Sequence, residues 1–202
     1  MSTIELIQNY SKKKIIIILL LILIISLGLK LYTVDFSIPS HLDDMTFILR
    51  ALQYSQGDFF IHAKSHPGWY LFLSPFMLII DSNDFLDYSN LIRISSLTIS
   101  TITIFPMYVL ARKFFNEKYS IVAASLFAFE PHLNFISGTG LGEPLLILVL
   151  ITSMIFILND KVKYHYIAFI FAGFCWWVKL EALYSMIAII IIFFVVHRHK
   201  PN

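Results

Sequence analysis

The sequence predicts an all-α polytopic membrane protein with about six spans (seven possible) and a large first external loop. Three observations lead there: the composition, the spacing of the apolar runs and the placement of Lys and Arg. Hydrophobic residues make up 58% of the 202 positions and charged residues 14%, with a mean hydropathy of +0.77. An average soluble domain is about 45–50% apolar and about 25% charged. The composition therefore excludes a water-soluble globular enzyme and a disordered chain. A net charge of +2 is too small to suggest a nucleic-acid partner. The single Cys175 excludes an internal disulfide and a cysteine-based zinc site.

The first apolar run, Ile15 to Leu29, follows Lys12, Lys13 and Lys14. It has the charged and apolar regions of a signal peptide. No small-residue cleavage site follows, so it reads as a retained helix, with Lys30 and Tyr32 as interfacial anchors. Later runs cover 69–80, 91–111, 119–136, 144–158, 165–178 and 182–196. Bilayer hydrocarbon cannot satisfy exposed backbone groups, so each full span is helical. The run 69–80 has twelve residues with Pro75 in its middle. A span needs roughly 20, so this run reads as an interfacial or re-entrant helix.

Basic residues set the orientation. Lys12–Lys14, Arg112 with Lys113 and Lys118, Lys161 with Lys163, and Arg198 with Lys200 account for ten of the fifteen Lys and Arg. Six spans, without 69–80, put all four groups and both termini in the cytoplasm, as the positive-inside rule requires. Residues 32–90 then form the large external loop of a single module, 1–202. Most of the distinctive polar chemistry falls on that external face.

Four clusters on it could carry chemistry. Asp43 and Asp44 open a short amphipathic segment, where a helix dipole favours them. They are either a cap at a membrane surface or a general base or metal ligand, since adjacent carboxylates drive their pKa values apart. His66-Pro67-Gly68-Trp69-Tyr70 is either a turn into an interfacial helix or, with Lys64, a holder of a lipid phosphate. In it Gly68 allows a close backbone approach, and Trp69 and Tyr70 suit the headgroup level. His62 and His66 have the spacing of a metal pair, but Pro67 opposes a continuous helix. Ser137 to Pro144 contains three alternate glycines without a Walker or dinucleotide pattern. It reads as a flexible turn, yet Glu143 sits at the lip of an apolar run where a carboxylate is costly; Glu130, near His132, raises the same question. Lys179-Leu180-Glu181 is either a snorkelling Lys in an aromatic belt or a cation aimed at a lipid-linked phosphate. Arg93 has the same two readings. Cys175 reads as inert packing.

In order, these residues resemble the GT-C glycosyltransferases, multi-spanning enzymes that use polyprenyl-phosphate-linked sugars. The archaeal members related to dolichyl-phosphate-mannose-protein mannosyltransferases and oligosaccharyltransferases look closest. The resemblance rests on Asp43-Asp44 with Phe47, Ala51 and Gly57-Asp58-Phe59; on His66-Pro67-Gly68-Trp69-Tyr70; on a helix led by Arg93 and closed by Arg112-Lys113; on Gly142-Glu143-Pro144; and on Lys179-Leu180-Glu181. It implies a GT-C-like helical module with interfacial helices in the first external loop. The implied reaction is sugar transfer to a protein or lipid acceptor at the external face of the cell membrane. Asp43, then Asp44, would be the catalytic carboxylate. Arg50, His66, Arg93, Glu143, Lys179 and Glu181 would bind the substrates, with the cations on the leaving phosphate. A divalent metal, Mg or Mn, is compatible with the family. Members usually continue into a further C-terminal region, which this chain is expected to lack, so a partner chain could supply the missing helices. A non-catalytic lipid-binding or scaffold subunit and, less readily, a small transporter subunit remain as alternatives. A transporter would place its ionisable groups at mid-membrane, whereas here they gather at the outer interface.

Overall fold

A computed structural model describes residues 3–40, 42–59, 66–80 and 82–197, with the side chains of 3–12, 42–44 and 197 outside the description. The described residues are helical with no strand, as the composition predicts. The chain runs α1 (Thr3–Thr33), α2 (Leu42–Ser55), α3 (Gly68–Ile80), α4 (Phe85–Ile102), α5 (Ile104–Ala111), α6 (Glu117–Ala128), α7 (Pro131–Thr139), α8 (Glu143–Ile157), α9 (Val162–Val178) and α10 (Ala182–His197). Helices α4 and α5 continue one another as a 27-residue rod, Phe85–Ala111.

Two segments, Lys13–Thr33 and Phe85–Ala111, are long and apolar enough to cross a bilayer by length and composition. The apolar α3, α8 and α10 are shorter. At 1.5 Å per residue the 13 residues of α3 reach about 20 Å, against a hydrocarbon core of about 30 Å. Asp84 starts α4 by accepting a hydrogen bond from the Leu86 N–H, one of the donors a helix N-terminus leaves unmet.

The run 119–136, expected as one span, is broken in two. Glu130 is the N-cap of α7, its carboxylate accepting from the Leu133 N–H, and Pro131 occupies the first turn. Proline there has no N–H to lose and a fixed φ suited to starting a helix. The break makes α7 a separate short element packed on α4 and α1.

The main core lies where α2, α3, α4, α8 and α9 meet. Ile48, Trp69, Leu73, Ile92, Val149 and Cys175 are all buried there, so Cys175 packs as expected. A second cluster joins α1 to α5 and α6 through Leu19, Ile22, Ile104 and Ala124. A third joins α8, α9 and α10 through Ile157, Ala168 and Ile189.

Three expected surface anchors are interior. Lys30 is only 2% exposed, and its Nζ donates to Ser100 Oγ at 2.7 Å. Helix α1 continues to Thr33, which turns Lys30 onto the α1–α4 contact rather than toward the headgroups. Trp69 and Tyr70 are 1% and 4% exposed, because Gly68 brings α3 against the end of α9. Tyr32, by contrast, stands fully out from the bundle.

Candidate functional site

The middle of α2, the starts of α3 and α8, the end of α9 and the turn after it enclose a half-open cavity of about 470 Å³. Arg50, His66, Glu143, Lys179 and Glu181 all line it. Five of the six predicted substrate-binding residues, drawn from four separate stretches of sequence, thus meet at one place. The volume is within the usual range of ligand sites, about 300–1,000 Å³.

Each residue arrives through a local feature. Arg50 lies on α2, its guanidinium carbon 5.7 Å from the centre of the Tyr70 ring, within cation–π range. His66 immediately precedes α3 and meets Trp176 edge-on, ring centres 5.5 Å apart. Glu143 opens α8 ahead of Pro144, where a carboxylate suits the positive end of the helix dipole. Lys179 closes α9 in an extended conformation (φ −153°, ψ 139°), the corner that turns the chain into α10. Its Nζ donates to Glu143 Oε1 at 2.6 Å. Both side chains keep solvent access, 40% for Lys179 and 26% for Glu143. The pair is therefore worth no more than about 1 kcal/mol to stability, and its charges stay within reach of a ligand.

Two glycines permit this closure. A Cβ on Gly68 would lie 2.8 Å from Val178 Cα and 2.9 Å from the Trp177 carbonyl oxygen. A Cβ on Gly142 would lie 2.9 Å from Trp69 Cγ. So α3 seats against the end of α9, and the segment before Glu143 seats on the Trp69 indole. Trp69 also lines the cavity and donates through Nε1 to the Gly140 carbonyl at 3.0 Å. Trp69, expected from its sequence position at the headgroup level, is instead an interior wall of this cavity. The sequence signal for this one is the glycine next to it.

The segment Gly138–Leu141, expected to be a flexible turn, is held by three side chains. Arg93 Nε donates to the Gly138 carbonyl at 3.1 Å. Trp69 takes the Gly140 carbonyl, and Ser96 Oγ donates to the Leu141 carbonyl at 2.9 Å. Arg93 is not brought to the cavity. It is 7% exposed, and its Nη1 donates to the carbonyls of Asp35 at 2.8 Å and Ile38 at 3.0 Å. It lines a second cavity on the other side of the same segment, of about 440 Å³. At that cavity's rim Asp35 accepts from the Ser37 hydroxyl and N–H. Those bonds, more than the neighbouring Arg93, hold its carboxyl below the usual carboxylate range.

Asp43 and Asp44 lie in the first turn of α2, which adjoins α3 and α4. Their side chains are outside the described residues, as is His62 of the suggested metal pair. Among the described residues no three His, Cys, Asp or Glu side chains converge to hold a metal ion. Glu143 commits one carboxylate oxygen to Lys179.

A family model described as dolichyl-phosphate-mannose-protein mannosyltransferase matches residues 64–201, more than half of the chain. The match takes in His66, Arg93, Glu143, Lys179 and Glu181, and begins after Asp43, Asp44 and Arg50. No curated protein and no solved structure matches the chain.

Proposed function

Because the chain belongs to the dolichyl-phosphate-mannose-protein mannosyltransferase family, we propose that it transfers a sugar from a polyprenyl-phosphate donor to an acceptor hydroxyl at the cavity of Arg50, His66, Glu143 and Lys179. The membership makes the chain a glycosyltransferase-type module in an all-helical membrane protein. The donor, the external face and the residue roles are our reading. The observation that carries it is the gathering of Arg50, His66 and Lys179, each capable of positive charge, at one open cavity with Glu143. Chain segments rich in Lys and Arg join the opposite ends of the helices, at 112–118 and 159–163. That arrangement favours the cavity side as external and both termini as cytoplasmic.

In this reading the acceptor oxygen attacks the anomeric carbon. The bond from that carbon to the phosphate oxygen breaks, and its electron pair leaves on the polyprenyl phosphate. Lys179, with Arg50 and His66, meets the charge that grows on the departing phosphate. A preorganised donor at developing charge typically accounts for about 10²–10³ in rate. The acceptor proton passes to a carboxylate of the first turn of α2, Asp43 as first choice and Asp44 as second. Glu143 orients the Lys179 ammonium and, with Glu181, faces the acceptor side. The apolar ends of α3 and α8 carry the start of the polyprenyl chain.

The test uses the full chain in proteoliposomes with a polyprenyl-phosphate mannose and a hydroxyl-bearing acceptor peptide, and measures released polyprenyl phosphate. Turnover that falls at least about a hundredfold in Lys179→Met and in Asp43→Asn or Asp44→Asn is the expected result. Donor binding without release in the unaltered chain would replace the reading with a non-catalytic lipid-binding subunit. No donor binding at all would overturn the assignment of the cavity.

A further inference from the structure

The transfer cavity holds as many carboxylates as permanent cations. Among the described residues that line it, Arg50 and Lys179 carry positive charge, Glu143 and Glu181 carry negative charge, and His66 is the remaining ionisable group. A pocket shaped only to grip phosphate collects cations, because each one strengthens the hold. Here the Lys179 ammonium already touches Glu143 Oε1 at 2.6 Å. A phosphate oxygen that makes an ordinary charge-assisted bond to the same ammonium, of about 2.7–2.9 Å, therefore comes within about 5.5 Å of that carboxylate oxygen. The pair is part-exposed, 40% for Lys179 and 26% for Glu143. Repulsion across it is thus weaker than in a dry interior and stronger than in bulk water.

We propose that Glu143 sets the charge this cavity accepts: beside its carboxylate a phosphodiester is held and a phosphate monoester is expelled, so that the Glu143–Lys179 pair drives release of the product. The inference rests on the transfer reading and adds a selectivity to it. The phosphate of the donor is a diester with one negative charge. The polyprenyl phosphate left when the anomeric carbon departs is a monoester, which carries about −1.5 to −2 at pH 7. Lys179 attracts either form. Glu143 subtracts from that attraction in proportion to the charge, and so weighs most on the product. In the transition state the charge is only partly transferred, and the carboxylate opposes it less.

The full chain, purified in detergent, is titrated at about pH 8, where a monoester is close to a dianion. The probes are polyprenyl phosphate and its monomethyl ester, a diester of the same polyprenyl chain. Bound ligand is counted by native mass spectrometry. The unaltered chain holds the diester more tightly than the monoester. Glu143→Gln keeps an oxygen for Lys179 to donate to and removes the charge. It shifts the ratio of the two affinities toward the monoester by roughly tenfold, and the monoester dissociates more slowly. Glu143→Asp keeps the charge and the unaltered ratio. The exposed pair contributes little to stability, so the variants fold, and general damage to the cavity would weaken both ligands together without moving the ratio. A ratio that Glu143→Gln leaves unchanged, or that Glu143→Asp shifts equally, would overturn the inference and leave the transfer reading standing. So would a monoester held more tightly than the diester by the unaltered chain. Binding of neither ligand would overturn both.

Discussion

Arg93, two turns into α4, and Lys179, at the end of α9, are both cations beside apolar helix, and the fold uses them differently. Arg93 is buried and donates to the carbonyls of Asp35, Ile38 and Gly138. Lys179 is 40% exposed and pairs with one oxygen of Glu143 beside an open cavity. The rigid fork of a guanidinium can satisfy several fixed carbonyls at once, while an ammonium on a flexible stem is a movable point charge. So one cation fastens the segment that leads to Glu143, and the other is left at the cavity. The difference teaches that a charge beside apolar helix is not by itself a ligand site. What counts is whether its donors are already satisfied by the chain.

The largest effect expected from breaking this contrast is on transfer. Lys179→Met lowers turnover by about 10²–10³ yet shifts thermal stability by less than about 1 kcal/mol. Single-turnover kinetics with a melting curve on the same sample check both halves. Arg93→Met should do the reverse. It leaves buried carbonyls unpaired and costs about 3 kcal/mol or more in stability, read as a fall in melting temperature. Equal loss of turnover in the two variants without any change in melting would dissolve the distinction. Gly142→Ala comes next. Its new Cβ would stand 2.9 Å from Trp69 Cγ, and overpacking of this kind costs about 1–3 kcal/mol. A drop in the fluorescence signature of a buried indole, together with weaker donor binding, is the expected readout. The smallest effect is that of salt. The exposed Glu143–Lys179 pair is screened within roughly 8 Å at physiological ionic strength. Donor affinity should therefore fall modestly between low and high salt, while melting temperature stays nearly constant.

The same contrast explains what was legible in the sequence. Arg50, His66, Glu143, Lys179 and Glu181 could be picked out because a charged group beside an apolar run stands out by cost alone. Their convergence followed from their all lying at one end of the helices. Arg93 looked identical by that criterion. Its commitment depends on the carbonyls of Asp35, Ile38 and Gly138, which are up to 58 positions away in the chain, and no local pattern encodes that. The helical class and the demotion of 69–80 to a short helix were readable from composition, length and Pro75. The break at Glu130-Pro131 was also readable, as an acidic cap followed by proline. Hydropathy averaged over 119–136 smoothed it away. Gly68 signalled its close approach correctly, but what it approaches, the Val178 backbone, was a matter of tertiary packing. Asp43 and Asp44 remain a sequence-based proposal, placed by the backbone on the first turn of α2.

The Lys30–Ser100 bond carries a consequence for how the chain is built. Lys30 lies in the last turn of α1, where burying its ammonium away from water carries a cost that a partner must offset. While α1 is alone, its Lys30 stem can bend to carry the ammonium toward water. The hydroxyl that receives it is synthesised 70 residues later, on α4. Helix α1 thus enters the membrane in a provisional setting and takes its final rotation only as α4 and the helices after it arrive. The first helix made is fixed only by helices made after it, through the Lys30–Ser100 bond, the Ser26–Ala128 bond and the packing of Leu19 and Ile22.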